Sequence, residues 1–128
     1  MKIDHIAVWV KDLEQTKKFY QTYFRAIPGK KYISFSREFK SYFLQFESDA
    51  RLEIMWSPEI AKVDVNSKNY FGLSHIAISV GSESEVISLT HRLRQAGFTI
   101  KGEPRHTGDG YFESVVLDPD GNSIEITV

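Results

Sequence analysis

The chain contains no cysteine. That removes disulfides, thiolate metal ligands and cysteine nucleophiles together, so any metal must be held by nitrogen and oxygen. It also fits a cytoplasmic protein, which is the expectation. No apolar run approaches the roughly 20 residues that a bilayer crossing requires. The segment MKIDHIAVWVKD carries charge at Asp4, Lys11 and Asp12 and lacks the apolar stretch of a signal peptide. An excess of charge of one sign is missing too. The 16 Lys and Arg against 17 Asp and Glu leave a net charge of -1 with no basic run, which argues against nucleic acid as a partner. The Lys17-Lys18 and Lys30-Lys31 pairs read as solvated surface.

What is present suits one globular domain. The 128 residues are 41% hydrophobic, with 9 Phe, 6 Tyr and 2 Trp available to a core. The chain effectively begins twice. KIDHIAVWV at 2–10 and GLSHIAISV at 72–80 share a His-Ile-Ala centre with alternating apolar residues. In the first, Ile6, Val8 and Val10 point one way and Ile3, His5, Ala7 and Trp9 the other. Each stretch then leads into a capped helix. Asp12 with Gln15, and Ser82 with Glu85, stand at capping-box spacing. Leu13, Thr16, Phe19/Tyr20 and Tyr23/Phe24 recur helically in the first, and Val86, Leu89, Leu93 and Ala96 in the second. Pro28-Gly29 and Gly97 are placed to end these units.

Short strand-like runs follow at Lys31–Phe35, Ser41–Glu47 and Leu52–Trp56 in the first half. The second half offers Phe98–Lys101, Tyr111–Leu117 and Asn122–Val128, with Asp118-Pro119-Asp120-Gly121 as a turn. The fold expected is α+β: a single domain over 1–128 built from two tandem βαβββ modules, 1–57 and 71–128, joined by a linker at 58–70. Paired modules would curve a mixed sheet into a cup with the helices outside.

Alternation singles out four polar residues on the faces turned away from the helices. His5 opposes Ile6, Val8 and Val10, and His75 opposes Ile76, Ile78 and Val80. Glu53 opposes Leu52, Ile54 and Trp56, and Glu125 opposes Ile124, Ile126 and Val128. A lone strand histidine is ordinarily a packing or surface residue. A His/Glu pair repeated in both halves at nearly the same separation points instead to a divalent metal site, and two inward carboxylates without a cation would repel and lose solvation. Nitrogen and oxygen donors suit one Zn, Ni, Co, Mn or Fe ion per site. Trp9, Tyr42, Phe46, Met55 and Tyr111 are candidates for an apolar wall around a small-molecule substrate. Arg105 and His106, in the expected loop 103–110, are candidates for meeting an anionic group, with Arg37 a further cation.

HIAVWVKDLEQTKKFY, RLEIMW, SHIAISV and DPDGNSIEI together resemble the vicinal oxygen chelate superfamily of glyoxalase I, bleomycin-resistance proteins and extradiol dioxygenases, over nearly the whole chain. The resemblance implies a metal set of His5, Glu53, His75 and Glu125, the His/Glu/His/Glu pattern of glyoxalase I. It also implies a homodimer, with modules pairing within one chain or between two. The activity implied is a glyoxalase-like lyase or isomerase. Its substrate would be chelated through vicinal oxygens, and a 1,2-proton transfer through an enediolate would be carried by Glu125 first and Glu53 second. A His5, His75 and Glu125 triad alone would match an extradiol dioxygenase or an antibiotic-modifying thiol transferase. A non-catalytic small-molecule binder is the remaining alternative. The chain departs from glyoxalase I in being shorter between the first helix and Glu53, and the glutathione-binding Arg and Asn of that enzyme have no match.

Overall fold

A computed structural model describes residues 3–36, 38–60, 72–108 and 110–128. The chain forms two compact units, Met1–Tyr70 and Phe71–Val128. The first runs β1 (His5–Trp9), α1 (Leu13–Phe24), β2 (Ile27–Pro28), β3 (Tyr32–Ser34), β4 (Phe39–Gln45) and β5 (Arg51–Trp56). The second runs β6 (Ile76–Ser79), α2 (Glu83–Gln95), β7 (Ile100–His106), β8 (Phe112–Leu117) and β9 (Ser123–Thr127). This is the α+β architecture that the repeat implies, with one short extra strand, β2, in the first unit. Most of the expected linker, at 61–70, lies outside the described residues, as does Arg37.

In the first unit the sheet order is β1-β5-β4-β2, with β3 also on β4. β1 runs parallel to β5, and Ala7 is the register partner of Glu53. In the second the order is β6-β9-β8-β7, and the parallel β6–β9 pair sets Ala77 opposite Glu125. The first strand of each unit therefore meets the last with the same offset.

Asp12 caps α1 by accepting from the Glu14 and Gln15 amides, and Ser82 caps α2 by accepting from Glu85. These three donors would otherwise be orphaned in the first helical turn of each helix. α2 ends as expected: Gly97 has φ 86°, and the Phe98 amide closes back on the Leu93 carbonyl at 3.0 Å. α1 ends earlier than Pro28-Gly29 suggests. Arg25 takes the left-handed conformation at φ 54°, which frees Ile27–Pro28 to pair with β4 at the sheet edge, where a proline costs no ladder bond.

Leu13, Thr16, Phe19, Tyr20 and Phe24 form the buried stripe of α1, and Leu44, Leu52 and Ile54 are buried in its sheet. Val86, Leu89, Thr90 and Leu93 form that of α2, with Val116, Ile124 and Ile126 buried in the second sheet. Thr90 lies in this apolar layer with its hydroxyl satisfied, 2.6 Å from the Val86 carbonyl and 2.7 Å from Ser114 Oγ. With these faces turned to the helices, alternation commits the opposite face of each sheet to polar and aromatic residues.

β7 is longer than the sequence suggests. It continues to His106, so Arg105 and His106 stand on a strand and not in a loop. Pro104 is tolerated because β7 is an edge strand whose register with β8 shifts on either side of Gly102. The Asp118 turn precedes β9. Its buried carboxylate accepts from the Asp120 and Asn122 amides, both at 2.9 Å, and from Asn122 Nδ2 at 3.0 Å. Burial raises this carboxyl above its ordinary value, and those donors offset only part of the rise.

Candidate metal and substrate site

Each unit brings one His/Glu pair together. In the first, His5 Nε2 lies 3.9 Å from Glu53 Oε2. In the second, His75 Nε2 lies 3.2 Å from Glu125 Oε2. The cause is strand register. Each Glu faces an alanine directly, and the His two residues earlier shares that face, so the two side chains meet diagonally. Both glutamates are largely covered, with side-chain exposures of 14% for Glu53 and 22% for Glu125. Two ligands each about 2.1 Å from one ion stand about 3.0–3.4 Å apart in octahedral or tetrahedral coordination. The second pair already has that separation, and the first needs about half an ångström of closure. As donors, both pairs fit a divalent ion of the nitrogen/oxygen class. Among the described residues no cluster of three or more metal-ligating side chains is assembled.

The two His/Glu pairs differ in their surroundings. In the first, aromatic residues stand on the His5/Glu53 face. Phe43 is the register partner of Glu53 and meets the His5 ring edge-on at 5.2 Å. Trp9 and Met55 are register partners on the same face, and Trp9 meets Phe39 edge-on at 6.0 Å. Asp4 accepts from His5 Nδ1 at 2.9 Å and from Arg51 Nη2 at 2.5 Å. The His5 hydrogen bond, and then Arg51, hold the Asp4 carboxyl below its usual range.

In the second unit, His75 and Glu125 open on a cleft of about 240 Å³ lined also by Ser74, Lys101, Gly102, Arg105, Val115 and Ser123. Lys101 donates to Ser123 Oγ at 3.1 Å. Arg105 donates to the buried Glu113 at 3.2 Å, which neutralises a carboxylate that would otherwise be costly there. Gly102 leaves room for the Arg105 guanidinium, and a side chain there would make it shift. A Cβ at that position would meet Arg105 Nη1 at 2.9 Å and Val115 Cγ2 at 3.3 Å.

Of the candidates read from the sequence, Trp9 and Met55 share the face of His5 and Glu53, and Arg105 lines the cleft of His75 and Glu125. Tyr42 stands on the other face. It pairs with Ile54 on the helix side, where its hydroxyl donates to Glu14 at 3.0 Å and its ring lies under Lys17. Phe46, beyond the end of β4, is half-buried. Tyr111 is exposed in the β7–β8 connection, where its amide donates to Thr107 Oγ1 at 3.0 Å. His106 turns to the helix side, its ring 4.8 Å from Phe112. Phe43, Phe39, Lys101 and Glu113 were missed. The buried Leu44 fixes the parity of β4 and makes Phe43 the residue beside Glu53, a signal that was legible. The bulges in β7 hid Lys101.

The family model for the Glyoxalase/Bleomycin resistance protein/Dioxygenase superfamily matches residues 2–126. The chain belongs to that superfamily. A Bacillus subtilis relative, the uncharacterized protein YqjT, is 27% identical over 128 residues, covering 95% of this chain and 94% of its own. The fold is similar to that of a glyoxalase family protein from Enterococcus faecalis, with a TM-score of 0.80 at 23% identity over 99% of this chain and 97% of that one. It is also similar to glyoxalase I from Zea mays, with a TM-score of 0.80 at 24% identity over 98% of this chain, which spans only 44% of the maize chain.

Proposed function

We propose that His5, Glu53, His75 and Glu125 are the donor set of one divalent ion. The chain would then be a lyase or isomerase of glyoxalase type that moves a proton between adjacent carbons of a small substrate presenting two vicinal oxygens. The observation that carries this reading is the repeated geometry: in both units a histidine meets a glutamate through the same two-residue offset, at 3.9 and 3.2 Å. Ordinary surface ion pairs give no reason for such a repeat.

When bound, the ion supplies Lewis-acid stabilisation of negative charge developing on the substrate oxygens. The Glu125 carboxylate takes the proton from the substrate C–H and returns it to the neighbouring carbon, with Glu53 the second candidate for that role. Lys101 and Arg105 attract and orient an anionic part of the substrate in the cleft beside Glu125. Trp9, Met55 and Phe43 offer the other pair an apolar wall that limits water. The functional unit proposed is a homodimer.

A second reading rests on the longer His5–Glu53 separation. Without Glu53 as a ligand, His5, His75 and Glu125 form the triad of an extradiol-type dioxygenase or a thiol transferase. The test is metal analysis of the purified protein followed by assays on methylglyoxal hemithioacetals, acyl-CoA epimers and catechols. The first reading expects about one divalent ion per site and isomerase turnover without oxygen uptake. Oxygen consumption with a catechol overturns it, and a protein that takes up no divalent ion is left as a binder.

A further inference from the structure

We infer that Asp4 is a positioning residue for His5. Clamped by Arg51 and flanked by Phe43, it fixes the imidazole in the Nδ1–H tautomer and so turns the Nε2 lone pair toward Glu53. The role of that lone pair as a donor rests on the metal-site reading above.

Five contacts close a ring around the histidine. Asp4 Oδ2 lies 2.9 Å from His5 Nδ1. The same oxygen lies 2.5 Å from Arg51 Nη2. The Arg51 amide donates to the Asp4 carbonyl at 3.0 Å, so the arginine is tied to Asp4 through main chain and side chain at once. Its guanidinium lies 4.5 Å from the Phe43 ring centroid, and Phe43 meets the His5 ring edge-on at 5.2 Å. A carboxylate oxygen already bound to a guanidinium remains an acceptor, so the imidazole nitrogen facing it must carry the hydrogen. In a neutral ring Nε2 is then the lone-pair nitrogen, and it is the one that faces Glu53. Fixing the free nitrogen of a ligating histidine with a carboxylate holds ring and tautomer before a metal arrives.

The second unit lacks this device. By strand register, Ser74, Ser123 and Val115 occupy the places of Asp4, Arg51 and Phe43. None carries a carboxylate or a guanidinium. The duplication kept the His/Glu pair in both halves but surrounded it with a clasp in one and with the Lys101/Arg105 cleft in the other. His5 is thus the pre-set donor, and His75 stands where a substrate enters.

The test is the imidazole nitrogen spectrum of the metal-free protein by two-bond ¹⁵N–¹H correlation, with His5 assigned from a His5→Gln variant. Wild type should show His5 in the Nδ1–H form. Asp4→Ala should move it toward the Nε2–H form that free imidazole prefers, while the His75 signals stay in place. Asp4→Asn, whose amide oxygen still accepts, should retain much of the Nδ1–H form. Zn affinity should fall about 10- to 100-fold in Asp4→Ala and less in Asp4→Asn. A wild-type His5 in the Nε2–H form, or a tautomer indifferent to Asp4→Ala, overturns the inference. A wild-type protein that shows the Nδ1–H form yet binds no divalent ion supports the positioning role and overturns the metal-site reading.

Discussion

Glu125 meets His75 with 3.2 Å between Oε2 and Nε2, although its register partner on β6 is Ala77. The small alanine leaves the carboxylate free to lean along the strand toward the imidazole. The same relation joins Glu53 to His5 past Ala7, with a wider gap of 3.9 Å. Of the two carboxylates, Glu125 alone lines the cleft that also holds Lys101 and Arg105.

That difference is the ground for testing Glu125 first as the proposed base. Glu125→Gln keeps the size and hydrogen-bonding shape of the side chain but removes the base. The expected result is a kcat lower by about 10²- to 10⁴-fold, with a melting temperature close to that of wild type when both proteins are compared metal-free. A variant that turns over at the wild-type rate removes Glu125 from the mechanism.

Much of this arrangement is legible in the sequence alone. The His-Ile-Ala repeat, the caps at Asp12 and Ser82 and the parity of Ile124 and Ile126 depend on local periodicity, and they place each His and Glu on the face away from the helices. Two features depend on longer-range partners and were not readable. Tyr42 was grouped with the site because it is aromatic, but its pairing with Ile54 sends it to the helix side. Arg105 reads from the sequence as a loop residue in 103–110, yet β7 runs on through Pro104 because an edge strand with register shifts accommodates the proline.

Lys101 offers a test of substrate charge. Its ammonium is held beside the cleft by a 3.1 Å bond to Ser123. Lys101→Met keeps the aliphatic stem and deletes the charge, so the expected loss is in binding and not in the chemical step. KM for an anionic substrate should rise about tenfold while kcat changes little. An unchanged KM, measured by initial rates over a range of substrate concentrations, excludes Lys101 from recognition.

The turn before β9 should be a weak point. Asp118 is 4% exposed and holds the turn by accepting from two amides and one side-chain amide. Asp118→Ala leaves those donors without their acceptor. The expected destabilisation is about 1–3 kcal/mol in denaturant unfolding. Because the turn also sets where β9 begins, activity should fall with stability. A variant as stable as wild type shows that water replaces the carboxylate fully.

The Glu14 network predicts a pH dependence away from the site. Hydrogen bonds from Lys17 and then Lys31 lower the Glu14 carboxyl from 4.5 to about 2. Its folded value is therefore depressed, and the stabilisation it supplies is complete above the unfolded value and is lost as pH falls toward about 2. Glu14 is half exposed, so solvent screening keeps the effect small. Urea unfolding of wild type and Glu14→Gln should show a stability gap that is constant above pH 5 and closes below about pH 4. A gap that persists unchanged at pH 2.5 shows that Glu14 acts through packing and not through its charge.

Metal removal ties the site to stability. An ion that binds the folded chain and not the unfolded one stabilises by mass action, by about 2.7 kcal/mol at a free concentration 100 times its dissociation constant. For a chain of this size that corresponds to a rise in melting temperature of about 10 °C. Addition of Zn or Ni should therefore raise the melting temperature of the chelator-treated protein, and fresh chelator should reverse the shift. His75→Ala and Glu125→Gln should each reduce the response, because each removes a donor from the same ion. Lys101→Met should respond as wild type does, since its ammonium is not a donor. A shift of equal size in all four proteins would mean that the ion binds elsewhere on the chain, and the His/Glu pairs would have to be read as ion pairs.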